Sequence, residues 1–250
     1  MIWAWIGALL IGISLGLLGS GGSILTVPVL VYLVGEPEKV AIAESLGIVA
    51  TISLVGAIPY TIRKEVDWKS VFYFGIPGMA GTYGGAALSK YLTGSIQLMI
   101  FAVVMLIAAA MMIRKPKELE AKDKTAPIWM LISEGLVVGV VTGLVGVGGG
   151  FLIIPALVLL GGLSMRIAVG TSLFIIAAKS LLGFYKYIDV LAKENLSINW
   201  QLVLVFILIG IVGSFIGSKA SQYIPQQQLK RGFGYFLILM GVYILYVNFV

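Results

Sequence analysis

The sequence carries G-L-L-G-S-G-G-S-I-L-T-V-P at residues 16–28 and G-L-V-G-V-G-G-G-F-L-I-I-P at residues 143–155. Seven of the 13 aligned positions are identical, and the second stretch lies 127 residues after the first. The same offset pairs Ser45 with Ser172, and an offset of 132 aligns three glycines within residues 78–85 with three within residues 210–217. Self-similarity at a fixed offset indicates repeated structural units. The sequence therefore predicts an internal duplication.

Composition places the chain in the membrane. Of its 250 residues, 60% are hydrophobic and 11% are charged, whereas a soluble domain carries about 25% charged residues. The chain has no Cys and no His, which excludes the usual ligand sets for zinc, haem and iron-sulfur centres and also excludes a Ser-His dyad. We expect no metal, no cofactor and no enzymatic activity. The net charge of +6 comes from scattered Lys and Arg residues, which we interpret as topology signals and not as a nucleic-acid site.

Apolar runs divide the chain into ten segments. They cover residues 2–18, 24–34, 41–60, 70–89, 95–113, 128–145, 151–161, 167–186, 200–219 and 233–249. Most have the length that a helix needs to cross a hydrocarbon core about 30 Å thick. Segments 24–34 and 151–161 are too short, and each follows a glycine cluster and contains a proline. We predict an all-α polytopic membrane protein with four or five membrane helices in each repeat, eight to ten in total, and helices broken at the glycine-rich motifs.

A charged stretch separates the apolar halves, so the predicted domains are a first transmembrane repeat (residues 1–113), a linker (114–127) and a second transmembrane repeat (128–250). If the short segments cross the membrane, the repeats are inverted and the two sides hold 12 and 4 basic residues. If each short segment completes the preceding span, the repeats are parallel and the sides hold 10 and 6. Basic residues collect on the cytoplasmic side. This rule favours inverted repeats, a cytoplasmic linker and a multi-pass location in the cell (inner) membrane.

The glycine clusters interrupt membrane sequence just before the short helices. Unwound backbone is tolerated there where it is buried in protein or lines a wet cavity, and broken helices at matching places in two repeats indicate a transporter's substrate site. A helix N-terminus presents free N–H groups and a partial positive charge, which favours an anion. We therefore predict two helix N-termini that converge on one anion. The predicted binding residues of the motifs are Gly19, Ser20, Gly21, Gly22, Ser23, Gly146, Gly148, Gly149 and Gly150.

Close helix packing is the alternative explanation, because small residues also let membrane helices approach. It is the better explanation for Gly81 and Gly85 and for their counterparts Gly213 and Gly217, which have GxxxG-like spacing. The near-consecutive glycines of the two motifs exceed what packing requires. We therefore assign the motifs to a binding site.

Polar residues inside the apolar segments supply the remaining candidates. Ser45 and Ser172 are expected to donate hydrogen bonds to the substrate, the alternative being that each bonds its own helix backbone. Lys179, Glu44 and Glu134 are charged residues in apolar sequence, where an unpaired charge is costly. Lys179 is the predicted attractor for an anion, and Glu44 and Glu134 are predicted to couple transport to a proton or another ion. A structural ion pair between Glu44 and Lys179 is the alternative.

The duplicated motif is followed in both halves by Ala-x-x-x-Ser-Leu, at residues 41–46 and 168–173. This pattern resembles the TauE/SafE family of membrane permeases, also called the sulfite exporter family, over essentially the whole chain. The family is associated with export of sulfite, sulfoacetate and other organosulfur anions, and the resemblance implies a bacterial-type inner-membrane anion permease driven by an ion gradient. Gly150 stands where the first motif has Ser23, which argues against two equivalent halves of the site.

Together these features predict a secondary transporter of small sulfur-containing oxyanions such as sulfite or organosulfonates. We expect alternating access by rocking of the halves around a central site. The expected partners are a small anionic substrate, the lipid bilayer and a coupling proton or sodium ion. Two alternatives stay open, namely a transporter of cations or protonated solutes that uses Glu44 and Glu134, and an intramembrane transferase. The transferase is disfavoured because the chain lacks His, Cys and a plausible catalytic pair of carboxylates at close spacing.

Overall fold

The computed structural model describes residues 2–19, 22–113, 128–145, 153–154, 157, 162–221, 223 and 225–249. Within these residues the chain forms helices and no strand, as the sequence predicts. The helices are α1 (Ile2–Leu18), α2 (Gly22–Pro28) with a π-helical continuation (Val29–Val34), α3 (Glu38–Gly56), α4 (Ile58–Ile62), α5 (Trp68–Leu88), α6 (Gly94–Ile113), α7 (Ile128–Val145), α8 (Met165–Lys193), α9 (Trp200–Ala220) and α10 (Gln226–Phe249). The predicted linker, residues 114–127, lies outside the described residues.

Four helical stretches in the described part of the chain are long and apolar enough to cross a membrane. They are Glu38–Ile62, Ile128–Val145, Arg166–Lys193 and Trp200–Ala220. Shorter apolar helices accompany them, among them Ala4–Leu18 and Gly22–Val34. Large apolar side chains lie on the outer surface, and more than half of the area of Leu10, Trp129, Leu204 and Leu239 is exposed. An apolar surface of this kind suits contact with lipid, and the protein is a multi-pass helical membrane protein.

The first glycine-rich motif separates α1 from α2. Gly19 has a φ of +67°, a left-handed conformation that glycine adopts without steric cost. After Gly19 the chain reverses its direction, as two contacts show. A Cβ atom at Gly22 would overlap the carbonyl oxygen of Ile11, and one at Gly7 would lie 2.7 Å from Val29. Helix α2 therefore runs antiparallel to α1 and begins beside the middle of that helix. With its π-helical continuation it is about 20 Å long, which is shorter than a full membrane span.

Pro28 marks the change from α-helical to π-helical geometry. Proline has no backbone N–H, and its ring clashes with the carbonyl group of residue i−4. The π-helix begins at the next residue and ends at Gly35, whose φ is +86°. The local sequence thus explains why this short helix is irregular.

Helix α8 and the stretch formed by α3 and α4 lie at the centre of the protein. In the most apolar 18 residues of each helical stretch, 78% of the residues are buried in α3 and α4 and 67% in α8. The corresponding shares are 33% in α7 and 39% in α9. An ion pair between Lys39 and Glu194 joins the start of α3 to the end of α8. At the opposite end, Arg166 near the start of α8 lies 4.0 Å from Glu65, which follows α4. These contacts show that the two central helices are antiparallel.

Helices α1 and α9 make backbone contact through glycines. A Cβ atom at Gly12 would overlap the carbonyl oxygen of Gly210, and one at Gly16 would overlap that of Ser214. Residue numbers increase together along this contact, so the two helices are parallel. Small residues at such an interface allow the close backbone approach that stabilises helix pairs in lipid.

Helices α5 and α7 form a corresponding parallel pair. A Cβ atom at Gly139 would overlap the carbonyl oxygen of Gly78, and one at Gly143 would overlap that of Thr82. These contacts correspond to those between α1 and α9 when the offsets of 127 and 132 are applied. The packing role expected from the sequence is confirmed, because added side chains would crowd the facing backbone at Gly81, Gly85, Gly213 and Gly217.

Helices α6 and α10 pack against each other in opposite directions. A Cβ atom at Gly234 would contact Ile113, near the end of α6, whereas one at Gly241 would contact Leu106, about two turns earlier. Helices α1 and α3, in contrast, have the same direction, because Ile52 and Gly56 of α3 approach Gly210 and Ser214 of α9 in the same order.

The neighbouring glycines 84 and 85 of α5 allow a matched test of this packing. A Cβ atom at Gly85 would overlap the carbonyl oxygen of Val140, whereas one at Gly84 meets no atom within 4 Å. We expect Gly85→Ala to force α5 and α7 apart and to lower the free energy of unfolding by about 1–3 kcal/mol. Gly84→Ala should leave it unchanged or raise it by about 0.5–1 kcal/mol, because alanine is the better helix former. Thermal unfolding in detergent measures both, and equal stabilities would contradict the packing.

Candidate functional site

The central helices α3 and α8 carry polar side chains in the buried middle of the protein. The fully buried ones are Glu44, Ser45, Ser53, Thr171, Ser172, Lys179 and Ser180. Polar groups inside a membrane protein are costly and mark functional sites. We take these residues as the candidate site.

Lys179 is the charged residue in the middle of α8. Its Nζ donates a hydrogen bond to Thr142 Oγ1 of α7, at 3.1 Å. Gly78 of α5 leaves room for the aliphatic part of the lysine, since a Cβ atom on that glycine would lie 3.9 Å from Lys179 Cδ. Within the described residues, no carboxylate forms an ion pair with Lys179. A charged ammonium group at this position therefore lacks a compensating charge.

Thr142 orients this contact. Its hydroxyl donates to the carbonyl oxygen of Val138 at 2.6 Å, so its own oxygen lone pairs are left for the lysine. At the offset of 127, Thr142 corresponds to Leu15 and Lys179 corresponds to Ile52. Ile52 packs against Gly210. The polar pair in one half of the chain is thus replaced by two apolar side chains in the other.

The serines divide into two classes. Ser45 Oγ donates to the carbonyl oxygen of Ile42, and Ser172 Oγ donates to that of Val169, each at 2.8 Å. Both hydroxyls thus make the bond within their own helix that the sequence left as the alternative. Ser53 and Ser180, which also correspond at the offset of 127, have buried hydroxyls without a hydrogen-bond partner among the described residues.

Glu44 has a structural contact. Its Oε1 accepts a hydrogen bond from the backbone N–H of Asn199, the N-cap residue of α9, at 2.8 Å. Thr171, 127 residues after Glu44, accepts one from the backbone N–H of Asp67, the N-cap residue of α5, also at 2.8 Å. The ion pair between Glu44 and Lys179 is not formed, because the lysine bonds to α7 instead.

Glu134 lies on α7, two turns before Thr142 and about 12 Å from it along the helix axis. Its Oε2 is buried without a hydrogen-bond partner in the described part of the chain, and the same holds for Glu44 Oε2. Glu134, Glu44 and Lys179 form no ion pair with one another. The structure thus keeps the three predicted charged residues separate.

The described part of the first motif contacts the start of α8. A Cβ atom at Gly19 would lie 2.5 Å from Val169, ten residues before Lys179. Ten residues correspond to about 15 Å of helix axis, so Gly19 and Lys179 lie at different depths along α8. Gly22 and Ser23 are buried at the start of α2. Ser20, Gly21, Gly146, Gly148, Gly149 and Gly150 lie outside the described residues.

A buried polar network that the sequence did not reveal holds the end of α7. Gln97 Nε2 donates to the carbonyl oxygen of Leu144 at 2.6 Å and to Tyr187 Oη at 2.9 Å. The Tyr187 hydroxyl donates to the same carbonyl at 3.0 Å. The last carbonyls of a helix have no partner within it, and Leu144 is the second residue of the second motif. Tyr187 corresponds to Tyr60 at the offset of 127, whereas Gln97 corresponds to an apolar residue, Leu229, at the offset of 132.

Apolar helices enclose a buried lysine and the hydroxyls of Ser53 and Ser180, which have no hydrogen-bond partner among the described residues. Polar groups buried in a multi-pass membrane protein are typical of transporters. The family profile described as "Sulfite exporter TauE/SafE" matches residues 4–244. The chain therefore belongs to the TauE/SafE family, and it is a membrane transporter and not an enzyme.

Individual relatives agree with this assignment. The chain is 29% identical over 244 residues to a "Probable membrane transporter protein" of Xylella fastidiosa, with 95% of this chain and 92% of that protein covered. It is 25% identical over 251 residues to a protein of the same description from Methanocaldococcus jannaschii, with 95% and 94% covered. It is 26% identical over 257 residues to "Probable membrane transporter protein YunE" of Bacillus subtilis, with 92% of each covered. No solved structure matches the chain.

Lys179→Met tests whether the buried lysine stabilises the protein in the absence of substrate. Methionine has a similar length and no charge. Because a buried amine with one hydroxyl partner is less favourable than a packed apolar side chain, we expect the variant to keep the wild-type free energy of unfolding or to raise it by about 1–4 kcal/mol. The control is Ile52→Val at the corresponding position, which should lower it by about 0.5–1.5 kcal/mol. A marked loss of thermal stability in Lys179→Met would show that the bond to Thr142 is structural.

Proposed function

We propose that this protein transports small sulfur-containing oxyanions, such as sulfite or organosulfonates, across the cell (inner) membrane. The observation that carries the proposal is Lys179, a fully buried basic residue in the central helix pair without a carboxylate partner in the described residues. A bound anion supplies the missing charge. The description of the family as sulfite exporters supports a sulfur oxyanion as the substrate class.

Two inverted repeats, residues 1–113 and 128–250, are the proposed frame. Helices at corresponding positions are antiparallel, both in the pair α3 and α8 and in the pair α6 and α10. Helices α1 and α3 run in the same direction, and α2 runs in the opposite direction between them. This supports counting α2 as a separate segment, which gives five segments in each half. With the second half reversed, the proposed cytoplasmic side holds the linker and most Lys and Arg residues, in agreement with the positive-inside rule.

Alternating access is the proposed mechanism, but the moving bodies differ from the two halves of the chain that the sequence predicts. Helix α1 of the first half is in backbone contact with α9 of the second, and α7 of the second is in backbone contact with α5 of the first. Helices in such close backbone contact are expected to move together, so each pair belongs to one moving body. The proposed bodies therefore combine helices of both halves, and the substrate is exposed to either side around the crossing of α3 and α8.

The proposed substrate path has two levels. Lys179 and Thr142 bind the anion in the middle of the membrane, and the hydroxyls of Ser53 and Ser180, which have no partner among the described residues, are available as further donors. Gly19 and the first turns of α8 lie about 15 Å away along that helix. In this proposal the glycine-rich motifs and Ser45 and Ser172 line the way to the central level, with the backbone N–H groups of Gly148 and Gly149 assigned from the sequence alone.

Ligand-dependent thermal stability tests the proposal. Purified protein is heated with sulfite, thiosulfate, sulfoacetate, taurine, sulfate, chloride or organic cations. A ligand at 100 times its Kd contributes about 2.7 kcal/mol to the free energy of unfolding. We expect a shift with a sulfur oxyanion in the wild type and none in Lys179→Met. Equal shifts in both proteins would contradict the assignment of Lys179.

The second candidate function is transport of a cation or a protonated solute. The Oε2 atoms of Glu44 and Glu134 favour it, because both are buried and have no hydrogen-bond partner in the part of the chain that the structure describes. It predicts stabilisation by organic cations that survives Lys179→Met and disappears in Glu44→Gln, a substitution that keeps an acceptor for the N–H of Asn199. Stabilisation by anions alone, unchanged in Glu44→Gln and Glu134→Gln, would contradict it.

A further inference from the structure

We infer that Lys179 itself carries the coupling ion: it binds one proton together with the transported anion and releases both on the other side of the membrane. The inference rests on the proposed anion transport and adds the identity of the coupling ion, the residue that holds it and the charge of the substrate. It differs from the expectation that Glu44 or Glu134 has this role.

The first step concerns the empty transporter. Lys179 is fully buried, and Thr142 Oγ1 is its one hydrogen-bond partner in the described part of the chain. A neutral hydroxyl does not compensate a full positive charge, and burial of an unpaired ion is far less favourable than burial of the neutral group. The empty transporter is therefore most stable with Lys179 as the neutral amine.

The second step concerns the surroundings of Lys179, since a nearby charge would change this balance. Helix α5 presents Gly78 to the lysine, and its titratable residues Lys69, Tyr73 and Tyr83 are exposed. Helix α7 presents Thr142, with Glu134 two turns away. On α3, Glu44 is bound to Asn199, and Tyr60 of α4 packs against Gly170, nine residues before Lys179. Within the described residues, no carboxylate therefore forms an ion pair with Lys179.

The third step is the coupled binding reaction. The lone pair of the amine takes a proton from water on the open side, and the resulting ammonium group attracts the anion. Thr142 holds Nζ in place but does not take the proton, because its own hydroxyl hydrogen is donated to Val138. A singly charged anion makes the loaded site neutral. The site therefore carries no net charge, whether loaded or empty, when access to it changes from one side of the membrane to the other. Each cycle moves one proton and one monovalent anion in the same direction.

Transport by the full-length protein in liposomes tests this inference with methanesulfonate, a singly charged organosulfonate and the anion of a strong acid. Exchange of labelled for unlabelled probe reports anion transport alone. Net uptake is then driven either by an inward proton gradient with the potential clamped at zero, or by a membrane potential without a pH gradient. One proton per anion predicts about tenfold accumulation per pH unit, because a pH unit is a tenfold ratio of protons. The potential alone should drive no accumulation.

Variants locate the proton. Arginine stays protonated, so Lys179→Arg should keep measurable exchange in the loaded state but lose proton-driven accumulation. Glu44→Gln should keep the dependence of accumulation on the pH gradient, because the inference gives Glu44 no part in proton transfer, and the matched control Ile52→Val should keep both exchange and accumulation. Thr142→Val should shift the pH dependence of net uptake to lower pH, since the protonated amine loses its acceptor, and Thr142→Ser should restore the wild-type profile.

The outcomes separate the two proposals. Absence of probe exchange in the wild type overturns the proposed function and this inference together. Exchange with uptake that follows the potential and ignores pH overturns only the coupling by Lys179. Proton-driven accumulation that survives Lys179→Arg, or is lost in Glu44→Gln, also overturns it, and so does loss of exchange in Lys179→Arg, because arginine mimics the loaded form.

Discussion

Direct contact between helix backbones at glycine is the constraint on which the rest of the structure depends. Lipid gives helices no hydrophobic reason to associate, so the approach of their backbones decides how well they pack. Gly12 and Gly16 tie α1 to α9, and Gly139 and Gly143 tie α7 to α5. Helix α9 in turn contacts α3, and α5 contacts α8. The two central helices are thereby enclosed, and their polar side chains are kept from lipid.

Within this frame, differences between corresponding positions are more informative than identities. Identical glycines and serines serve the same packing or backbone bond in both halves, as Ser45 and Ser172 do. Lys179 and Thr142 stand where the first half has Ile52 and Leu15, and they place one cationic side chain off the axis of any internal symmetry. For the proposed monovalent anion one basic side chain is sufficient, and a symmetric pair of charged lysines would repel each other.

The sequence predicted the parts of the fold that depend on local composition. The first apolar segment matches α1, and the glycine spacing correctly indicated close packing at Gly85 and Gly217, because spacing defines a helix face. It did not identify the facing helix, which depends on neighbours distant in the chain. For the same reason Lys179 was recognised as an unusual charge, but its partner proved to be Thr142 and not Glu44. The sequence did not predict a role for Gln97, because its partner, the carbonyl group of Leu144 at the end of α7, is 47 residues away in the chain.

The contact between α1 and α9 also has a consequence for biosynthesis. Helix α1 is synthesised long before its partner, which begins at residue 200. The glycine face of α1 therefore stays in the bilayer without α9 during the synthesis of α2 to α8, whereas α5 is separated from α7 only by α6 and the linker. The pair of α5 and α7 should therefore assemble before α1 docks against α9.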